Sequence, residues 1–449
     1  MFISSDDAKA IADKVLAHSR ADACAVQIQG GLDQSLRFAR GGATTNIASA
    51  EANLRISSHI GGRIGSCSTS RFDDEALAKA VARSEEIARM LPVDPDYVAP
   101  LGPQNYGYSN RYDEATANLR LDALAGTAAR VIEEGARLGV DTFGCATAAR
   151  RFDAFATSAG LFAYERRSEI DLSATARNRA DTWSGWAGAH QFFADRLDAE
   201  AIGRVACFKG AHDATPVDLD PGAYTVVLEP EATAELAFWL IRAMEARAAD
   251  EGRSFFTRPG GGALLGEKLF DEKLFDEKLS IRVDPADPLA PEAAVGFEGV
   301  PHRARAFIEN GVVTTLYRSR AWAQKTGAEA IPFARNFVMS GGDVSIDDMV
   351  RSVRRGVLVT RLWYTNIVEP KSLLLTGLTR DGNFLIENGR IVAPMRNMRF
   401  NQRLGDLFGK IKALGPTRRT WRAAGEGGAP AAPAMLVEGF NFSSKSSGI

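Results

Sequence analysis

Apolar positions recur every three or four residues between residues 6 and 18, where Ala8, Ile11, Val15 and Leu16 form one stripe. That period predicts an amphipathic helix. The period then shortens to two. Residues 23–28 alternate as a strand, and 35–40, 45–48, 52–59 and 63–68 read as further short strands. Gly41-Gly42 and Gly61-Gly62 mark turns between them. Residues 73–90 return to the helical period behind an acidic start. This helix–sheet–helix order predicts an α+β first domain over residues 1–90.

Residues 91–110 carry four prolines and read as a linker or an ordered loop between domains. A helix over 115–139, strands over 141–149, 151–157 and 161–175, and a helix over 198–208 make a middle α/β segment, 91–220. Residues 181–188, with Trp183 and Trp186, read as a Trp-rich turn whose aromatics serve packing. From residue 221 to 449 the pattern is mostly β. A strand over 224–228 runs into a helix reaching Met244. Asn310-Gly311 and Asn388-Gly389 signal hairpins. Strands are expected over 356–366, 372–379 and 436–442, short helices over 346–353 and 401–411, and a Gly/Ala/Pro-rich loop over 423–432. Three near-identical pentads fill 266–280 and read as a short tandem expansion with solvated charges and packed Leu/Phe pairs. The expected whole is an α+β protein with a larger, mostly β C-terminal domain.

Composition narrows the functional classes. A formal net charge of -2 gives no general field for nucleic acid or an anionic membrane. No apolar run reaches bilayer length, and the start lacks a signal-peptide pattern, so the cytoplasm is the expected location. The cysteines Cys24, Cys67, Cys145 and Cys207 are dispersed, and no two histidines lie within a helical turn. Buried single thiols are expected, and a zinc site on one helix is disfavoured. Gly260-Gly261-Gly262 with Gly266-Glu267-Lys268 fails the P-loop spacing. Ser158 and Ser184 fit no nucleophile elbow.

The strand–helix junction is the most informative chemistry. Pro230 suits the first helical position, and Glu231 complements the helix dipole. Glu231 and Glu235 are four apart and share a face. Three readings stay open: a capped helix, a helix that keeps its place at a cleft without metal ligands, or a carboxylate site for Mg²⁺ or Ca²⁺.

A set of segments then carries a resemblance. They are Tyr224-Thr225-Val226-Val227-Leu228-Glu229-Pro230-Glu231-Ala232, Phe275-Asp276-Glu277-Lys278-Leu279, Ile308-Glu309-Asn310-Gly311, Thr376-Gly377-Leu378-Thr379-Arg380-Asp381-Gly382 and Val437-Glu438-Gly439-Phe440-Asn441-Phe442. Gly160-Leu161-Phe162-Ala163-Tyr164-Glu165 and Ser184-Gly185-Trp186-Ala187 agree with them. Together, from about Val26 to Phe442, they make the chain resemble the TldD/PmbA, or modulator-of-gyrase, family.

The resemblance implies a cytoplasmic protein from a family of paired subunits. The TldD-like kind is a zinc peptidase with His-Glu-x-x-x-His on a helix and a later cysteine ligand. The PmbA- or TldE-like kind lacks these ligands and contributes to an enclosed peptide-binding cavity. Here the motif positions hold Pro230, Glu231 and Glu235, and no cysteine follows Cys207. The resemblance therefore implies vestigial metal-helix positions at Pro230, Glu231 and Glu235, no catalytic residue, and no cofactor in this chain. Zinc is expected in a TldD-like partner subunit. The function implied is the non-catalytic subunit of a metallopeptidase acting on unfolded peptides, bound along a sheet edge near residues 356–364 or 374–381. The alternatives are a stand-alone homodimeric peptide-binding protein of this fold, or a hydrolase using a non-zinc metal at Glu231 and Glu235.

Overall fold

The structure, a computed structural model, describes residues 1–265, 275–421 and 428–446. Most of the pentad repeat and part of the 423–432 segment lie outside the described residues. The last pentad is described from Phe275, which is buried against Phe255 and Phe408.

Two long strands replace the four short ones expected at the start. β1 (Ala23–Ala39) and β2 (Gly42–Ile60) pair along their full length behind helix α1 (Ser5–His18). Local signals cut β1 at Gly30-Gly31, but ladder bonds continue through both glycines. β3 (Arg63–Thr69) and α2 (Asp74–Met90) follow, the helix capped by the Asp73 carboxylate on the Ala76 amide. α3 (Leu121–Leu138) then leads to β4 (Asp141–Thr157), β5 (Phe162–Arg177) and β6 (Ser184–Gln191). The Trp-rich stretch is thus an edge strand rather than a turn. α4 (Ala199–Gly210) ends this part of the chain.

The sheet order is β3-β2-β1-β4-β5-β6. β1 pairs with β4 from Ala25↔Thr157 to Ala39↔Phe143, so one sheet crosses the domain boundary expected at residue 90. That boundary is corrected: residues before and after it share a ladder and cannot bury their faces apart. The two-residue period sorts the faces. Val26, Ile28, Leu54, Ile56, Phe152 and Ala156 pack under α1 and α2, while Leu36, Phe38 and Leu172 pack under α3 and α4. Gln27, Gln29, Arg55, Ser57, Asp153 and Phe155 face the other way.

The second body begins with β7 (Gly222–Leu228) and α5 (Pro230–Ala243). α5 is buried on nearly every side, from Ala232 to Ile241, as a helix sandwiched within a core must be. β7 pairs in parallel with Arg355–Val359 and antiparallel with Met435–Lys445 inside a nine-stranded sheet. A second, six-stranded sheet runs from Val312–Val313 to Arg418–Arg419. Both Asn-Gly pairs form the expected tight turns, with positive φ at both positions.

The expected strand over 356–366 breaks at Thr360 into Arg355–Val359 and Arg361–Glu369. Thr360 leaves the ladder because its hydroxyl donates to the Gly382 carbonyl at 2.7 Å. The proposed peptide-binding edges shift accordingly. Leu374–Arg380 and Arg355–Val359 are interior strands; of the stretches named, Arg361–Glu369 alone lies at an edge, the opposite edge being Arg390–Pro394. That edge is bulged between Trp363 and Asn366, with Tyr364 at φ 52°, a geometry that discourages strand addition. Among the described residues, no helix is long and apolar enough to cross a membrane.

Candidate functional site

The junction between β7 and α5 lies at the carboxyl ends of two parallel strands, where open α/β sheets place their ligands. The Glu229 amide continues the pairing to the Val359 carbonyl at 2.9 Å. Pro230 then occupies the first helical turn and offers no donor atom from its side chain.

Glu231 points away from the sheet and meets the chain's far end. Both its carboxylate oxygens accept from the Trp421 amide, at 2.9 and 3.1 Å. Burial pushes its pKa up to about 8, against the pull of that amide, and Glu229 adds to the rise. Glu235 is buried one turn later and accepts from the Trp239 indole at 3.2 Å. The two carboxylates therefore share a helix face but have separate partners. Among the described residues, no group of three or more His, Cys, Asp or Glu side chains converges as a metal site. These three positions do not suit zinc: one side chain has no donor, and the other two are carboxylates engaged by N–H groups.

Around the junction the two bodies are joined by buried polar contacts. Lys209, from α4, donates to Glu229 at 2.6 Å and to Thr360 at 2.9 Å. Gly185 makes this possible, because a Cβ there would lie 2.4 Å from Lys209 Cβ. Asp381 pairs with Arg361 and Arg380 and accepts from the Ser184 hydroxyl at 2.7 Å. Burial works against its charge, but the Arg361 guanidinium wins and holds the Asp381 carboxyl below its ordinary value. Arg361 lies over the Trp186 ring at 4.6 Å, and Trp186 meets Trp421 edge-on at 5.7 Å. Arg419 fixes the segment before Trp421 by donating to the His190 carbonyl and Nδ1. None of these partners was expected from the sequence as part of the site. They come from six separate segments, and the one legible signal was the motif around Glu231.

A second region is open. The polar face of the first sheet floors a cavity of about 840 Å³, and the loops between residues 292 and 336 roof it. Glu231 and Glu235 do not line it; His190, one wall residue, is also held by Arg419. On the floor, Arg167 pairs with Asp153 at 2.6 Å and Glu169 at 2.8 Å, and Arg111 with Glu165 at 3.2 Å. Arg55 and Arg335 line the cavity without an ion pair among the described residues. His59 is buried in the wall with no partner for Nδ1, and burial beside the Arg320 guanidinium lowers its pKa. The cysteines take no part: all are free thiols, and burial raises Cys24 to about 11 and Cys207 to about 12.

This architecture, with a β7–α5 junction on one side and a sheet-floored cavity on the other, is that of a metallopeptidase-related fold. Residues 221–444 match the PmbA/TldA metallopeptidase C-terminal domain. The chain belongs to the PmbA/TldD family. A curated relative, a metalloprotease from Methanothermobacter thermautotrophicus, is 24% identical over 234 residues; the match spans 49% of this chain and 49% of that protein. Solved structures share the fold through nearly the whole length. TldE from Thermococcus kodakarensis has a TM-score of 0.83 at 17% identity, covering 97% of this chain and 99% of its own. A Bacteroides thetaiotaomicron protein described as a modulator of DNA gyrase has a TM-score of 0.82 at 22% identity, covering 99% and 100%. A Thermotoga maritima protein of similar description reaches 0.80 at 19%, covering 96% and 99%.

Proposed function

We propose that this chain is the non-catalytic subunit of a cytoplasmic PmbA/TldD-type metallopeptidase, and that it lends its cavity to an unfolded peptide while a TldD-like partner supplies the zinc chemistry. The observation that carries this reading is the state of the helix start. Pro230 has no ligating atom, Glu231 is occupied by the Trp421 amide, and Glu235 by the Trp239 indole. Burial raises the Glu231 carboxyl to about 8, and both its oxygens already accept from the Trp421 amide. The absence of a third converging His, Cys, Asp or Glu side chain among the described residues weighs against a hydrolase working through Glu231 and Glu235 with another metal.

In this reading the chain's own residues do three things. The Lys209–Glu229 and Arg361–Asp381 pairs hold the two bodies at a fixed angle. The sheet floor and loop roof enclose a space that admits an extended segment and excludes a folded domain. Trp421 closes the place where the family's metal helix would face the substrate. The test is metal analysis and peptide cleavage by the purified chain, alone and mixed with a homologue carrying His-Glu-x-x-x-His. The chain alone holds no stoichiometric zinc and cleaves nothing; the mixture gains activity over the homologue alone. Zinc-dependent cleavage by the isolated chain overturns the reading.

A further inference from the structure

The roof of the cavity carries a tongue, residues 294–302, whose tip is unusual. Phe297 lines the cavity and is 82% exposed, and Glu298 beside it has φ 55° and ψ 21°. An aromatic ring left in solvent forgoes its burial free energy. A non-glycine residue in the left-handed region costs further free energy, and such residues cluster at ligand contacts. Neither feature reflects a loose loop, because the base of the tongue is pinned from three sides. The Glu165 carboxylate accepts from the Ala294 and Val295 amides at 2.8 and 3.0 Å. Gly296 and Val300 bond across the turn at 2.8 Å. Tyr106 donates to the Gly299 carbonyl at 2.7 Å. Gly299 then rests on the floor, where a Cβ would lie 2.9 Å from the Phe155 ring.

The floor residue under the tongue has a definite relation to the unpaired cation. Phe155 is opposite Gln27, and Gln27 is opposite Arg55, so the three form one row across β4, β1 and β2. Two strand spacings separate Phe155 from Arg55, roughly 10 Å. An extended chain covers that distance in about three residues, and residues three apart point to opposite faces. Gly299, two residues from Phe297, sits over Phe155, so the roof ring and the floor guanidinium line one cavity within reach of side chains a few residues apart on one extended segment.

We propose that the cavity selects an extended peptide carrying a bulky apolar side chain, placed on Phe297, and a carboxylate a few residues along, taken by Arg55. This rests on the peptide-binding reading above and adds to it a sequence preference and the two residues that read it. Carboxylates elsewhere on the floor do not compete, because Asp153, Glu165 and Glu169 are already paired with Arg167 and Arg111.

The experiment is fluorescence polarisation of the full chain with a labelled hexapeptide Ala-Phe-Ala-Ala-Glu-Ala and two analogues, one with Phe replaced by Ala, one with Glu replaced by Lys. The parent binds about tenfold tighter than either analogue, as expected for one buried ring or one paired charge. Phe297→Ala brings the parent and the Phe-less analogue within about twofold of each other, whereas Phe297→Leu keeps most of the preference. Arg55→Gln removes the discrimination against Lys and leaves the aromatic preference. Thermal unfolding of these variants matches the parent protein, so misfolding does not mimic the result. Equal binding of all three peptides, or preferences untouched by Phe297→Ala and Arg55→Gln, overturns the inference and leaves the peptide reading standing. Failure of all three peptides to bind overturns both.

Discussion

The β7–α5 junction and the cavity lie in the same molecule and are built in opposite ways. At the junction Lys209, Glu229, Glu231, Arg361 and Asp381 each have a named partner, although Arg361 Nε, Thr233 Oγ1 and Trp421 Nε1 are buried there without one. In the cavity, Arg55 and Arg335 have no ion pair among the described residues, His59 Nδ1 has no partner, and Phe297 stands in solvent. What separates the two regions is open space: the cavity holds about 840 Å³ lined by polar side chains, whereas Glu231 and Glu235 line no part of it. The difference teaches where to look for a ligand. The junction, which the sequence motif singles out, is closed; the cavity, which no motif marks, is open.

The strongest way to break this contrast is to remove Lys209. Its side chain and that of Glu229 are 9% and 15% exposed, so Lys209→Ala leaves a buried carboxylate uncompensated. The expected loss is about 3–5 kcal/mol of unfolding free energy by denaturant titration. A loss below about 1 kcal/mol is the behaviour of a surface pair and contradicts a buried weld.

The Glu231 latch makes a pH-dependent prediction. Its folded pKa, about 8, exceeds its unfolded value near 4.5, so the folded state binds more protons between those values. Stability from this group is full below about 4.5 and falls as pH rises toward 8, by a few kcal/mol. Glu231→Gln keeps an acceptor for the Trp421 amide and flattens this slope. Thermal midpoints from pH 5.5 to 9 check it, and identical slopes in the two proteins contradict the latch.

Smaller effects sharpen the cavity side. Glu298→Gly relieves the left-handed strain at the tongue tip and stabilises the protein by up to about 1 kcal/mol. Its Arg320 partner, 3.8 Å away, is only 11% exposed, so the loss of that counter-charge offsets part of the gain. Phe297→Ala changes stability by less than about 0.5 kcal/mol, because the ring buries almost nothing. A large loss in that variant would mean the ring is core and not a contact held for a ligand.

The sequence made some of this legible. The helix caps at Asp73 and Asp198 and both Asn-Gly hairpins follow from short-range chemistry and stand where expected. Strand lengths did not follow, because the alternation lapses after residue 28 while the ladders on both sides carry the strand through Gly30-Gly31. Residues 181–188 read as a Trp-rich turn, yet 184–191 form a strand in which Gly185 is needed where α4 presses on it. For the site, Glu231 stood out by motif, while Trp421, its partner 190 residues later, did not. Lys209 and Thr360 carry no local signature, and the segment holding Asp381 was legible only as a motif, since their roles depend on how the two bodies dock. Phe297 and Glu298 were invisible for another reason: an exposed ring and a positive φ at a non-glycine residue are properties of the folded backbone alone.

The central claim is that this chain contributes a cavity and no metal chemistry. It is tested most directly by zinc stoichiometry and peptide cleavage measured on one preparation of the chain, then repeated with a His-Glu-x-x-x-His homologue added. The account predicts less than about 0.1 zinc per chain and no cleavage alone, with activity in the mixture above that of the homologue by itself. Near one zinc per chain, with cleavage that Glu231→Gln abolishes, would contradict it.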